Sequence, residues 1–457
     1  MFAGREVLAV YVVRRTPLPT FRTTGAPQLS ADGCTRDTRL TVLSKANAMP
    51  AITWHFLKAN DATIEIPGGL ATAHDVRVQG VFREGAADAF EKALKAAQLE
   101  WEQTHPEPSA EELAEREAYR VAEADATYGG TARSAYQEGA DALEEARSLA
   151  AAFAGGMGDE ASAFLAESAG RRSVVQVGPG ETADVQVLVT AAHGAMSVAA
   201  VDVIAERNSV VNVSIVVDGP GQEEGRRGLA GTTLRVFAGK DAQVNITRTQ
   251  TLGEDIVDFD DMGLIADDHS HISVHQTVLG AREGYAGLAG DLRGDSACID
   301  VDTHYLGMGT QTRDFNYLLR HHGTRTRCNL NANGVLAGKS AKALRGTIDL
   351  IRGCKGAEGS ENETVLLVDE GVQHKPVPVI LGNEDDVAGN HGATIGHIRE
   401  EQMFYLASRG LSREAAEALF VSAAIERAVI DAPDEAARAS VLRLGKRVVP
   451  AFDSVFE

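Results

Sequence analysis

Cysteine is scarce, with four in 457 residues (Cys34, Cys298, Cys328 and Cys354) and no CxxC spacing among them. That excludes a disulfide framework or a four-cysteine zinc site and fits a reducing cytoplasm. Positive charge is in deficit too: 44 Lys and Arg stand against 65 Asp and Glu, a formal net charge of −21. Such a chain repels phosphates, so no broad nucleic-acid or anionic-membrane surface is expected, and partners are sought among proteins and metals. No apolar run approaches the roughly 18 residues needed to cross a bilayer. The short apolar run VLAVYVV, residues 7–13, is followed by Arg14 and Arg15 rather than an A-x-A-like cleavage site, which argues against a secretory signal. Cys34, in SADGC, lacks the leucine of a lipoprotein signal. Aromatics are only 5% of the chain, leaving few platforms on which sugars could stack.

What remains is an ordinary globular composition, 44% apolar and 24% charged, in a chain long enough for a substantial core and more than one structural unit. Residues 1–40 carry an excess of Arg with Pro17, Pro19 and Pro27, and read as a poorly ordered extension or a start assigned too early. Ordered structure is expected from MPAITWHFLKANDATIEIPGG, residues 49–69, where TIEI alternates as a strand does. Residues 85–167 are rich in Ala and Glu and predict helices, one opened by a Ser109–Glu112 capping box; their acidic faces read as solvated surface rather than docking surface. The α-rich region as a whole is placed at 41–171.

From residue 172 the period changes to two, and a weak repeat emerges when AQVNITRTQTL, SHISVHQTVLG, SACIDVDTHYLG and TRCNLNANGVLAG are aligned. Val244, Ile272, Ile299 and Cys328 then coincide, 28, 27 and 29 residues apart, each followed two positions on by Ile246, Val274, Val301 or Leu330. One coil of a β-solenoid cannot bury its apolar side chains alone, whereas stacked coils build a continuous core from equivalent positions. Turn residues precede each strand in AGKDA, ADDHS, RGDSA and HHGTR. An antiparallel sandwich would want hairpin signals, and Asn-Gly occurs once, at Asn333 and Gly334. The fold class predicted is therefore mainly β: a right-handed parallel β-helix over 172–396, flanked by N- and C-terminal α-helical regions, the latter at 397–457.

Three features imitate chemistry. Alternation in HSHISVH puts His269, His271, Ser273 and His275 opposite Ile272 and Val274, a set able to bind a transition metal. Asp300, Asp302, Asn329 and Asn331 occupy the matching positions of later repeats, so a polar outer face is the preferred reading. GVLAGKSAK, residues 334–342, has one residue too few between its glycines for a phosphate-binding loop and leads into a strand. GPGQEEGRRGLAG, residues 219–231, places two acids where phosphate would lie and has no helix after it. No Ser-His-Asp arrangement or GxSxG appears. Buried structural thiols are the default reading for Cys298, Cys328 and Cys354.

The last hundred residues carry an ordered series: the GTIDL strand, ENETVLLVDE, the Pro378 region, DDVAGNHGATIG and EEQMFYLASRGLSREAA. This series resembles the SufB/SufD family of iron-sulfur cluster assembly proteins. The resemblance is tight over about 110 residues and looser through the strand repeats and WHFLKANDATIEIP. It implies a scaffold subunit rather than an enzyme, with no catalytic residue and no permanently bound cofactor. Members pair through their β-helices, with a SufB-like paralogue or with themselves, and bind a SufC-type ATPase through the C-terminal helices. A transient iron-sulfur cluster forms at the subunit interface, and ATP enters only through the partner ATPase.

The SufD-like branch fits better, because no cysteine lies on LLVDEGVQHKPVPVI and Gly392 stands where SufB-like members carry glutamate. His391, in GNHG, falls on the histidine of the SufD-type CSHG motif and is the candidate metal or cluster ligand; Gly389 replaces the motif's cysteine. Gly410 is expected to end one C-terminal helix and Ser412 to cap the next, whose Ala416, Leu419, Phe420 and Ala423 recur at helical spacing as a core stripe. Phe404, Tyr405 and Arg409 are the candidate ATPase-docking residues. Two alternatives stand: a SufB-like homodimeric scaffold, and a β-helix polysaccharide-active enzyme, which would be expected to carry an export signal and clustered acids or a calcium-binding set along one face.

Overall fold

The computed structural model describes residues 41–50, 59–66, 68–73, 75–80, 155–221, 227–398, 400–449 and 452. The expected extension at 1–40, most of the Ala/Glu-rich segment with its Ser109–Glu112 box, and the acids of GPGQEEGRRGLAG lie outside the described residues.

The described chain opens with an antiparallel pair, β1 (Thr41–Ala46) and β2 (Ala62–Ile66), followed by the short strands β3 (Ala71–Thr72) and β4 (Val76–Gln79) and by helix α1 (Asp159–Ala169). Sixteen strands come next. They are β5 (Arg172–Val177), β6 (Thr182–Thr190), β7 (Ala195–Ala205), β8 (Val210–Asp218), β9 (Gly228–Ala238), β10 (Gln243–Gln250), β11 (Ile256–Ala266) and β12 (His271–Val278), then β13 (Glu283–Leu292), β14 (Cys298–Gly307), β15 (Thr312–His321), β16 (Arg327–Leu336), β17 (Ala341–Leu350), β18 (Ala357–Leu367), β19 (Gln373–Gly382) and β20 (Val387–His397). Helices α2 (Glu400–Ser408), α3 (Arg413–Ile430) and α4 (Glu435–Val448) end it.

From β6 onward the chain alternates between two parallel sheets, one of even strands from β4 to β20 and one of odd strands from β3 to β19. This is a β-solenoid of about eight turns, and its parallel ladders exclude the antiparallel sandwich. The segment expected to be α-rich also starts the coil: β3 pairs with β7, and β4 pairs antiparallel with β6.

The register reproduces the repeat residue by residue. Val244 lies beside Ile272, Ile272 beside Ile299 and Ile299 beside Cys328, with Ile246, Val274, Val301 and Leu330 forming the adjacent column. All eight are buried between the sheets, where each Val or Ile contributes about 1.5–3 kcal/mol. The corners are equally regular. Asn208, Asp241, His269, Ser296 and Arg325 each hold a left-handed backbone at φ 54–58° in successive coils. His269 therefore lies in a corner, and alternation does not carry it onto the face of His271 and His275.

The odd sheet's outer face is covered by α1, where Leu165 and Phe164 pack with Leu229, Phe259 and Tyr285. The Asp261 carboxylate accepts from Met157 N at 2.9 Å and Ser162 Oγ at 2.6 Å, fixing the start of that helix. Further along the same face Asn47 Nδ2 donates to Asp314 Oδ1 (2.7 Å), Arg345 donates to Asp314 and to Ala59 O, and Met49 packs on Val377 and Val379. Helices α3 and α4 cluster Ile425, Val429, Val441 and Leu444, together with Phe452 beyond them, with Leu279 and Leu306 of the coil. Asp434 caps α4 and also accepts from Ser214 Oγ at 2.6 Å, tying the helix to the even sheet.

Ser412 caps α3 through its side chain, and Gly410 follows α2 at φ 89°. The stripe on α3 differs from expectation. Ala416 is buried, but Leu419 and Ala423 face solvent, because the helix turns Ile425, Ala428 and Val429 toward the coil instead.

Candidate functional site

Among the described residues, every even strand from β6 to β18 has a neighbour on both sides, whereas β20 pairs only with β18, and β19 only with β17. Among the described residues the coil thus ends on two free edges, and β20 is exposed along nearly its whole length. Its inward column follows from the register: Gly389 lies beside Gly359, His391 beside Glu361, Ala393 beside Glu363 and Ile395 beside Val365. A Cβ on Gly389 would meet Ile380 of β19 at 2.9 Å, which confirms that this column faces the gap between the sheets.

The apolar column of Ile246, Val274, Val301 and Leu330 continues into Glu361 and ends at His391. One column over, Glu363 follows Ala332. Glu363 Oε1 receives the Tyr305 hydroxyl at 2.9 Å and the Lys342 ammonium, and His374 Nε2 lies 3.3 Å from it. Gly346 makes room for the Glu361 carboxyl, since a Cβ there would come within 2.3 Å of Oε1. Glu361 Oε2 and Glu363 Oε2 have no hydrogen-bond partner among the described residues.

The two carboxyls are driven apart. Burial, with the Glu363 charge beside it, pushes Glu361 up to about 8, so it holds a proton at neutral pH. Burial also opposes ionisation of Glu363, but contact with His374 and the Lys342 ammonium outweighs it and holds this group at about 2. Lys342 itself is lowered by burial to about 8 despite the attraction of Glu363. The open end therefore presents an imidazole above a protonated carboxyl, backed by a buried ammonium–carboxylate pair. These are nitrogen and oxygen donors suited to a hard or borderline metal ion and to proton exchange. No thiol belongs to the set.

Polar groups persist deeper between the sheets. Tyr317 donates to Gln276 Oε1 at 2.5 Å, Gln276 Nε2 to Asp260 Oδ2 at 2.8 Å, and Arg248 lies 3.2 Å from Asp260 and 2.6 Å from Asp258. Burial raises Asp260 to about 6 against the pull of Arg248.

Of the residues singled out from sequence, His391 sits at the open end. Phe404 and Tyr405 lie on α2, 77% and 56% exposed, with Arg409 just beyond it and its guanidinium 5.2 Å from the Tyr405 ring centre. Glu361, Glu363, Lys342, His374 and Tyr305 escaped the sequence reading. The available signal was a pair of acids at inward positions of a repeat that elsewhere holds Leu330 and Ala332. Cys328 and Cys354 are buried, and burial pushes both thiols up, Cys354 to about 11. Cys298 is only half-buried and lies on the outer face. GVLAGKSAK leads into strand β17, so it makes no phosphate-binding loop.

A two-sheet parallel coil with C-terminal helices packed on its even sheet and a charged terminal rung defines a β-solenoid protein. Residues 172–424, more than half of the chain, match the model of the SufBD core domain of the SUF system for FeS cluster assembly, and the chain belongs to that family. It is similar to the iron-sulfur cluster assembly protein SufD of Bacillus subtilis, 28% identical over 159 residues, which cover 35% of this chain and 36% of that protein. It is also similar to SufD of Escherichia coli, 24% identical over 186 residues, 40% of this chain and 44% of that one. A chloroplastic SufBD family protein of Arabidopsis thaliana, ABCI8, is 24% identical over 241 residues, 51% of this chain and 43% of the relative. The matches thus span less than half the length of each relative. Among the described residues no helix is long and apolar enough to cross a membrane.

Proposed function

We propose that the protein is a non-catalytic scaffold subunit of SUF-type iron-sulfur cluster assembly. It pairs through the free edges of β19 and β20 with a SufB-like subunit or a second copy, and it binds a SufC-type ATPase through α2 and the helices after it. The observation that carries this reading is the coil end that has no cap among the described residues. Among the described residues β19 and β20 present an unpaired edge with Ile395 exposed, and such an edge is a template for a partner strand. Pairing there encloses His391 and the Glu361–Glu363–Lys342 cluster, so nitrogen and oxygen donors face whatever the partner contributes. An iron-sulfur cluster is then cargo at the interface, and nucleotide chemistry belongs to the ATPase. Family membership favours the assembly reading over the polysaccharide one.

The test is anaerobic co-expression with the SufC-type ATPase and the SufB-like protein of the same organism, followed by size exclusion and iron analysis. The reading expects a stable complex that needs residues 397–457 and loses iron in His391→Ala. Absence of association at micromolar concentration would leave a shared fold without this role.

A further inference from the structure

We propose that His271, Cys298 and Asp300 form a binding site for a borderline divalent transition metal of the Zn2+ type, on the outer face of the even sheet. His271 on β12 and Cys298 on β14 are in-register neighbours, and Asp300 lies two residues along β14 on the same face. One donor atom from each falls within 4.8 Å of the other two. His271 Nε2 lies 2.8 Å from Asp300 Oδ2, and Cys298 Sγ lies 3.6 Å from the same oxygen. Donors on a tetrahedral zinc ion, about 2.0–2.3 Å from the metal, stand roughly 3.3–3.7 Å apart. The thiol–carboxylate spacing already fits. The imidazole and carboxylate need to part by about 0.5 Å by this geometry, exchanging a hydrogen bond for two metal bonds.

The donor set selects the metal. One imidazole, one thiolate and one carboxylate suit Zn2+ and its neighbours, whereas Mg2+ or Ca2+ would want oxygen alone. Asn329 Nδ2 donates to Asp300 Oδ1 at 2.7 Å, which orients the carboxylate and leaves Oδ2 for the ion, the usual work of an outer partner. Arg327, next to Cys298 in the ladder, is turned to Glu358 at 3.5 Å and does not occupy the site. Three protein donors leave a fourth position open to water or to an incoming ligand. The ladder also supplies a control: His275 and Asp302 form the neighbouring pair at 3.6 Å without a thiol. The site is three strands from β20, about 14 Å at ordinary strand spacing, and does not depend on pairing at the open end.

The experiment is titration of the reduced, metal-free full chain with Co2+ alone, followed by competition with Zn2+. The proposal expects one equivalent of Co2+ with thiolate-to-cobalt charge-transfer absorption. Cys298→Ser and His271→Asn should each lose that absorption, His275→Asn should keep it, and Asn329→Ala should weaken binding about tenfold. All four positions are on the outer face, so each variant should keep its circular dichroism and metal-free melting temperature. Lack of a thiolate band, or a band that survives either Cys298→Ser or His271→Asn, would overturn the assignment.

Discussion

Glu361 and His391 end a column that holds only Ile, Val and Leu in the four preceding coils. Charge inside the coil is tolerated where it is matched, and the cost of unmatching it can be measured. Arg248 is fully buried against Asp258 and Asp260, so Arg248→Ala should destabilise the chain by about 3–5 kcal/mol, read by urea denaturation. A pH dependence follows from His321 and His322. Burial lowers both to about 4 from the ordinary 6.5; His322 adds to the effect on His321, while for His322 the nearby Arg320 and Arg293 also lower it and Asp291, 3.4 Å away, pulls the other way. Between those values the unfolded chain binds more protons than the folded one. The stability these groups permit is thus complete above about pH 6.5 and falls as the pH drops toward 4, by up to about 3 kcal/mol each. Comparing denaturation at pH 4.5 and 7, His321→Gln should show a smaller loss than the natural chain, by about 2 kcal/mol.

At the scale of strands and helices, the apolar columns were legible because each coil repeats its inward residues every 27–29 positions. The corners were legible as turns but not as left-handed backbone, so period two was carried through His269 when the strand starts at His271. That geometry predicts opposite outcomes at one position. His269→Gly should raise stability by about 0.5 kcal/mol, strain relief slightly exceeding chain entropy, while His269→Val should lower it by about 1–2 kcal/mol. The metal donors were hidden for a related reason: His271 and Cys298 are 27 residues apart and meet only when coils stack. Helix α2 has no buried residue, unlike the other described helices, and it carries Phe404 and Tyr405 outward. Replacing both by Ala should change stability by less than about 0.5 kcal/mol yet, on the proposed docking role, weaken association with the SufC-type ATPase tenfold or more, measured by calorimetry.

For the whole molecule, what matters is that the coil is closed on one side and open on another. α1 and the β1–β2 segment cover the odd sheet, with Met49 reaching Val377 and Val379 of β19, and α3 and α4 pack against the even one, but the outer edges of β19 and β20 pair with no strand among the described residues. Sequence alone could identify the family region and His391, yet not that this residue stands on a terminal rung, because strand order is a property of the assembled coil. The most direct measurement is hydrogen exchange of the amides of residues 373–397 in the isolated chain and in a complex with the proposed SufB-like partner, or at rising concentration if the chain pairs with itself. Pairing through the free edges predicts slow exchange at β19 and β20 on association, while α3 and α4 stay unchanged. Equal exchange at those strands in both states, with a complex present, would contradict it.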